Sequence, residues 1–225
     1  MNPITVLLAE DHQIVREGFR SLLKQEDDIE VVGEAETGRQ AVQLTRKLRP
    51  AVVVMDIAMP QLNGLEATRQ IRKEFPDTKV LILSAHSDVA YVERVMELGA
   101  VGFLLKQTSS HDLATAIRAV QGGKNYFSAA VSKSVRDRGQ KPHARGGPFK
   151  KKGNRLSSRE VEVLQLIAEG RPNKQVAAEL GVSFKTVDKH RQHLMSKLNI
   201  HDVAGLTRYA IAEGIIESNV RLAIS

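Results

Sequence analysis

The chain has 225 residues, 42% apolar and 26% charged, carries a formal net charge of +7 and contains no cysteine. This is enough for two ordinary domains with separate cores, and the missing cysteine excludes disulfides, thiolate metal sites and cysteine nucleophiles. Charge is uneven: residues 1–127 carry 15 Lys and Arg against 17 Asp and Glu, whereas 128–225 carry 18 against 9, so only the second part suits a polyanion.

Nucleic acid is the usual partner of such a basic half, and an anionic membrane surface is the other. No apolar run is long enough to span a bilayer, and Ile4–Ala9 is too short for a signal core. The expectation is a cytoplasmic protein with no membrane partner.

In the first half, short apolar runs alternate with amphipathic stretches. Strands are expected near 4–9, 30–35, 51–55, 79–83 and 102–105, and helices near 13–24, 38–48, 64–74, 88–98 and 111–121. Gly38 opens one helix, and another can be capped by Asp88 and closed by Gly99. Five strands alternating with five helices predict a doubly wound α/β domain with a five-stranded parallel sheet of the flavodoxin-like kind. Each of four strands runs into a reactive side chain: Glu10–Asp11, Asp56, Ser84 and Lys106. Ligands of open α/β sheets bind beyond the carboxyl ends of the strands. Three carboxylates, a hydroxyl and an ammonium therefore converge at one edge, a site for a hard cation and a phosphoryl group.

Gly122–Gly123 ends this pattern. Residues 123–155, with Gly139, Pro142, Gly146–Gly147, Pro148 and Lys150–Lys152, read as a flexible basic linker between a first domain, 1–122, and a second, 156–225. From Leu156 the pattern is wholly helical. Ser157–Ser158–Arg159–Glu160 fits a capping box, Asn173 can cap a short helix 174–180, Ser183 caps a third to about Leu198, and Asp202 a fourth to about Glu213. The short helix, the turn Gly181–Val182–Ser183 and the longer helix make a helix-turn-helix in an all-α, four-helix domain.

On these motifs the chain resembles a two-component response regulator of the NarL/LuxR type. The receiver-like part carries Glu10–Asp11, Asp56, Met59–Pro60 with Gly64, Ser84–Ala85 and Gly102–Phe103–Leu104–Leu105–Lys106. The second carries Ser183, Thr186–Val187 and His190. The resemblance implies phosphorylation of Asp56 by a cognate sensor histidine kinase, with Mg²⁺ as cofactor. Asp11 and Asp56 would ligate the ion directly, Glu10 mainly through water, and Ala58 through its main-chain carbonyl. The donor chemistry agrees, since crowded carboxylates repel without a cation and oxygen ligands at an open edge suit Mg²⁺. Lys106 would pair with the phosphoryl oxygens and Ser84 would donate to another. Phe103, where tyrosine is common, would turn into the space that Ser84 vacates as the switch. Gln107 stands where proline is frequent.

In the third helix of the second domain, Val187, Leu194 and Leu198 form an apolar stripe, opposite Lys185, Asp188, Lys189, Gln192 and Ser196. The polar stripe is expected in the major groove of double-stranded DNA. There Lys189 can read guanine, Gln192 adenine, and Asp188 either a cytosine amino group or a lysine that it orients, while Lys174, Lys185, Thr186 and Arg191 are candidates for phosphate contacts. Val187 completes this DNA-binding set. His190 and His193 lack a third ligand for a metal. The last helix is mostly core, and the resemblance implies that its exposed side pairs two molecules when the protein is phosphorylated or DNA-bound, with RNA polymerase as a further expected partner. Two competing readings are a Mg²⁺-dependent phosphohydrolase using Asp56, which Ala58 disfavours because an acid/base carboxylate is usual there, and a constitutive DNA-binding protein. The preferred reading is a transcription regulator and not an enzyme.

Overall fold

Valine, leucine and isoleucine runs too short for helices form a parallel sheet in the computed structural model, which describes residues 2–85, 92, 95–107, 110–127 and 156–216. These fall into two units, 2–127 and 156–216. In the first, the strands are β1 (Ile4–Ala9), β2 (Ile29–Ala35), β3 (Val52–Asp56), β4 (Lys79–Ser84), β5 (Gly102–Leu105) and β6 (Tyr126–Phe127). Their order is β2-β1-β3-β4-β5-β6 and every adjacent pair is parallel. The helices are α1 (Gln13–Leu23), α2 (Gly38–Leu48), α3 (Gly64–Glu74) and α4 (Ser110–Gln121).

Alternation along each strand sends side chains to two cores. Leu7, Val53, Met55, Ile82 and Phe103 pack beneath α2 and α3, with Ala41, Val42, Leu65 and Ile71. On the opposite face Val6, Leu8, Val52, Val54, Leu81, Leu83 and Leu104 meet Phe19 and Leu23 of α1 and Leu113, Ile117 and Val120 of α4. Burial of each such side chain is worth about 1.5–3 kcal/mol, and covering both faces explains why the strands are apolar throughout.

Two expectations change here. The sheet has six strands, not five, because Tyr126 and Phe127 pair with Gly102 and Phe103. The first unit therefore extends past residue 122 into the segment expected to be linker. A two-residue strand has no periodicity to detect, and the diglycine before it reads as a stop. In the helix expected over 88–98, Val92 and 95–97 are helical, with Val92 and Val95 buried; its start and the Asp88 cap lie outside the described residues, as does 128–155.

The second unit comprises α5 (Ser158–Ala168), α6 (Asn173–Leu180), α7 (Phe184–Leu198) and α8 (Val203–Ala212) around one core. The capping box forms: Glu160 N–H donates to Ser157 Oγ at 3.3 Å and Ser157 N–H to Glu160 Oε2 at 2.8 Å. Lys197 of α7 adds an ion pair to Glu160 at 2.6 Å, tying the two helices. Desolvation opposes ionisation of Glu160, but the Lys197 and Ser157 bonds outweigh it and hold its pKa below the usual range. Gly181 ends α6 at φ 63°, a left-handed turn suited to glycine. Ser183 accepts from Thr186 N–H and Asp202 from Gly205 N–H, as expected of caps. Asn173 does not cap: Pro172 holds that position, and Asn173 Oδ1 instead accepts from Arg191 at 3.1 Å.

Candidate functional site

The acidic edge assembles at the carboxyl ends of β1, β3 and β4 and just beyond β5. Strand register sets it: Ala9 lies opposite Met55, Asp56 opposite Leu83 and Ser84 opposite Leu105. Glu10, Asp56 and Ser84 are buried, at 2%, 3% and 4% exposure, and Asp11 and Lys106 are half-buried. The Lys106 ammonium lies 2.8 Å from Glu10 Oε2 and 3.1 Å from Asp56 Oδ1, and its backbone N–H donates to the Ser84 carbonyl at 2.8 Å.

Beyond β3 the chain must turn sharply to start α3. Gly64 makes this possible, since any Cβ there would collide with the Asp56 carbonyl oxygen. Its N–H donates to the Ile57 carbonyl at 2.8 Å, and Asn63 caps the helix by accepting from Glu66 N–H. Ala58 sits half-buried in this turn, two residues after Asp56.

Charge at this edge is unbalanced. Burial pushes the Asp56 carboxyl up to about 6, with repulsion from Glu10 adding to it and Lys106 working against both. Burial opposes the Lys106 ammonium, but Asp56 and Glu10 outweigh it and hold its pKa above normal. One ammonium thus pairs with two buried carboxylates, with the Asp11 carboxylate beside them. Asp56 Oδ2 is buried and accepts no hydrogen bond, while Glu10 Oε2 and Asp11 Oδ1 have only the ion-pair contacts with Lys106 and His12. Carboxylate oxygens so under-satisfied at a solvent edge fit a hard divalent cation.

His12, absent from the expected set, joins the cluster. Glu10, Asp11 and His12 offer ligand atoms within 4.8 Å of one another, and His12 Nδ1 lies 2.8 Å from Asp11 Oδ1 and 3.1 Å from Glu10 Oε1. Asp11 chiefly raises the His12 pKa, against a smaller effect of burial. The Asp11–His12 adjacency was the available signal. Phe103 is wholly buried, packed within the α2/α3-side core.

On the second unit, Lys174, Lys185, Lys189 and Gln192 are exposed and Thr186, Asp188 and Arg191 half-buried. Ser183, Lys185, Thr186, Lys189, His190 and His193 line a shallow depression along α7. Val187 departs from the expected contact set: it is 0% exposed, because helical spacing turns it into the core with Leu194. Asp188 accepts from Gln192 Nε2 at 2.9 Å, one helical turn away, and so orients an amide. Phe184, missed in the sequence, is 57% exposed at the first position of α7.

Comparison with known proteins agrees with both halves. Residues 6–118 match the family described as response regulator receiver domain, and 154–210 match bacterial regulatory proteins, luxR family. The oxygen regulatory protein NreC of Staphylococcus carnosus is 38% identical over 218 residues, covering 94% of this chain and 99% of the relative. Among solved structures, RcsB of Salmonella typhimurium is 32% identical with a TM-score of 0.58, covering 94% of this chain and 100% of that one. A structure of two RcsB dimers bound to two parallel DNAs is 31% identical with a TM-score of 0.56, over 92% and 98% of the two chains.

Proposed function

This chain belongs to the two-component response regulators, a receiver domain joined to a LuxR-type DNA-binding domain, and on that footing we propose that Asp56 is its phosphoacceptor. It is a transcription regulator rather than an enzyme. The observation that carries the residue assignment is the buried Asp56 carboxylate, with one orphaned oxygen and the other 3.1 Å from Lys106.

Asp56 attacks the phosphorus of a phosphohistidine on the sensor kinase. An O–P bond forms, the N–P bond breaks, and the imidazole leaves. Lys106 follows the charge, exchanging its contact with Asp56 for the incoming phosphoryl oxygens, and the Ser84 hydroxyl donates to another. Asp11, Asp56 and the Ala58 carbonyl would hold Mg²⁺, with Glu10 acting through water; when bound, the ion would offset the carboxylate charge and stabilise the negative charge of the phosphoryl group. Movement of Ser84 leaves room for the Phe103 ring, which passes the change to the surface around β5 and residues 95–97.

The receiver is assigned to 1–127, the connection to 128–155 and the DNA-binding domain to 156–225. Lys189 and the Asp188-oriented Gln192 read base edges, while Lys174, Lys185, Thr186 and Arg191 face phosphates. DNA-bound dimers of the similar RcsB support a homodimer here, with RNA polymerase as a downstream partner. No helix among the described residues is long and apolar enough to cross a membrane, consistent with work in the cytoplasm.

Incubation with acetyl phosphate and Mg²⁺, followed by mass spectrometry of borohydride-trapped peptides, tests the assignment. Homoserine at position 56, left when borohydride reduces the acyl phosphate and releases phosphate, is expected, and none in Asp56→Asn. Absence of homoserine in the wild type, or its formation at another position, would overturn it.

A further inference from the structure

We propose that Arg16 is a positioning residue for the Glu10–Asp11 carboxylates, holding the turn that presents them to a divalent cation; this rests on the reading of that edge as the phosphoacceptor site. Its side chain is only 8% exposed, yet its guanidinium bonds in three directions. Nη1 donates to the Glu10 carbonyl at 2.7 Å, Nε to Glu34 Oε2 at 3.1 Å and Nη2 to Glu36 Oε1 at 2.8 Å. Those two acids flank Ala35, whose carbonyl accepts the Glu10 N–H at 2.9 Å. Both backbone polar groups of Glu10 are therefore tied to the end of β2, one directly and the other through Arg16.

The next residue most needs that support. Asp11 Oδ1 accepts no hydrogen bond and meets the His12 imidazole, whose own side chain is 63% exposed. His12, at the N-cap of α1, makes no side-chain cap bond, while its carbonyl accepts the Arg16 N–H at 3.0 Å. The aim of the Asp11 carboxylate is thus set by the main chain of residues 10–12, which the Arg16 guanidinium holds at Glu10 while the first backbone bond of α1 holds it at His12. A planar fork with donors in fixed directions is what this needs, and lysine would not supply it.

Positioning and simple charge make opposite predictions. Arg16 is a cation near a cation site, so through its field alone its removal would tighten metal binding. Loss of positioning would weaken it. The test uses the full chain and Mn²⁺ as the probe, the free ion being counted by electron paramagnetic resonance, with a metal-free thermal scan of each variant.

Arg16→Ala and Arg16→Lys are each expected to lower Mn²⁺ affinity about tenfold, the usual scale for a group that orients a metal ligand. Arg118→Ala should leave it unchanged: Arg118 also pairs with two acids, Glu26 and Asp28, but these precede β2, at the opposite end of the strand. Affinity that rises or stays within about twofold of wild type in both Arg16 variants overturns the proposal. Should those variants not fold, Glu34→Gln combined with Glu36→Gln decides at about 1 M salt, where field effects are screened: a persistent loss supports positioning and a vanished one refutes it. Wild-type protein that binds no Mn²⁺, or an Asp56→Asn variant that binds it equally well, would instead bring down the reading of the edge itself.

Discussion

Asp56→Asn should make the metal-free receiver more stable at neutral pH, although it removes the reactive group. The folded chain raises the Asp56 pKa from an ordinary 3.8 to about 6, burial being the main cause. A carboxyl with its pKa raised on folding takes up a proton more readily when folded. Its contribution is therefore fully favourable below about pH 4 and is lost as pH rises through 6. Keeping it ionised above pH 7 costs about 3 kcal/mol, roughly two pKa units at 1.36 kcal/mol each. Asparagine carries no such cost and keeps the volume, and Lys106 retains its Glu10 partner. About 3 kcal/mol corresponds to roughly 10 °C in Tm for a domain of this size. The assay is thermal unfolding in a chelator, following the receiver transition at pH 7.5 and at pH 5. The gap between variant and wild type should be about halved at pH 5, where the folded wild type is already mostly protonated. A variant no more stable than wild type at pH 7.5, or a gap independent of pH, would refute the electrostatic account of this edge.

Gly64→Ala should destabilise the receiver by about 2 kcal/mol or more, because its Cβ meets the Asp56 carbonyl and the turn must shift; phosphoryl uptake from acetyl phosphate should fall with it. Phe103→Ala, at a wholly buried position, should cost about 3–5 kcal/mol by denaturant titration. In the second unit, Lys189→Ala should relax base preference in a selection from random duplexes, whereas Lys185→Ala should weaken binding evenly and make the salt slope shallower by about one.

Local signals were legible where they are strong. The long apolar strands, the Ser157–Glu160 box and the Ser183 and Asp202 caps depend on neighbours within four residues, and all form as read. The meeting of Lys106 with Glu10 and Asp56 was legible for a different reason: parallel strands place their carboxyl ends on one edge. Features set by three-dimensional partners were not visible. Arg16 finds Glu34 and Glu36 only because β1 and β2 are adjacent, and Asn173 gives up its capping role because Arg191 of another helix claims its oxygen. Val187 fits two places in the sequence, the apolar stripe and the DNA-binding set, and packing puts it in the core. Asp188 and Gln192 are one helical turn apart, a spacing that signals their bond, but the sequence pattern points Gln192 at a base and Asp188 at a base or a lysine rather than at each other.

Coupling between the two halves is most directly measured as DNA affinity of the full chain before and after phosphorylation by acetyl phosphate and Mg²⁺, at one fixed salt concentration. The duplex would be one selected by the protein from a random pool. The account predicts tighter binding on phosphorylation, on the order of five- to a hundredfold as for typical two-site coupling, and no response in Asp56→Asn. Equal affinity in the two states of the wild type, with Asp56 shown to be phosphorylated, would contradict it.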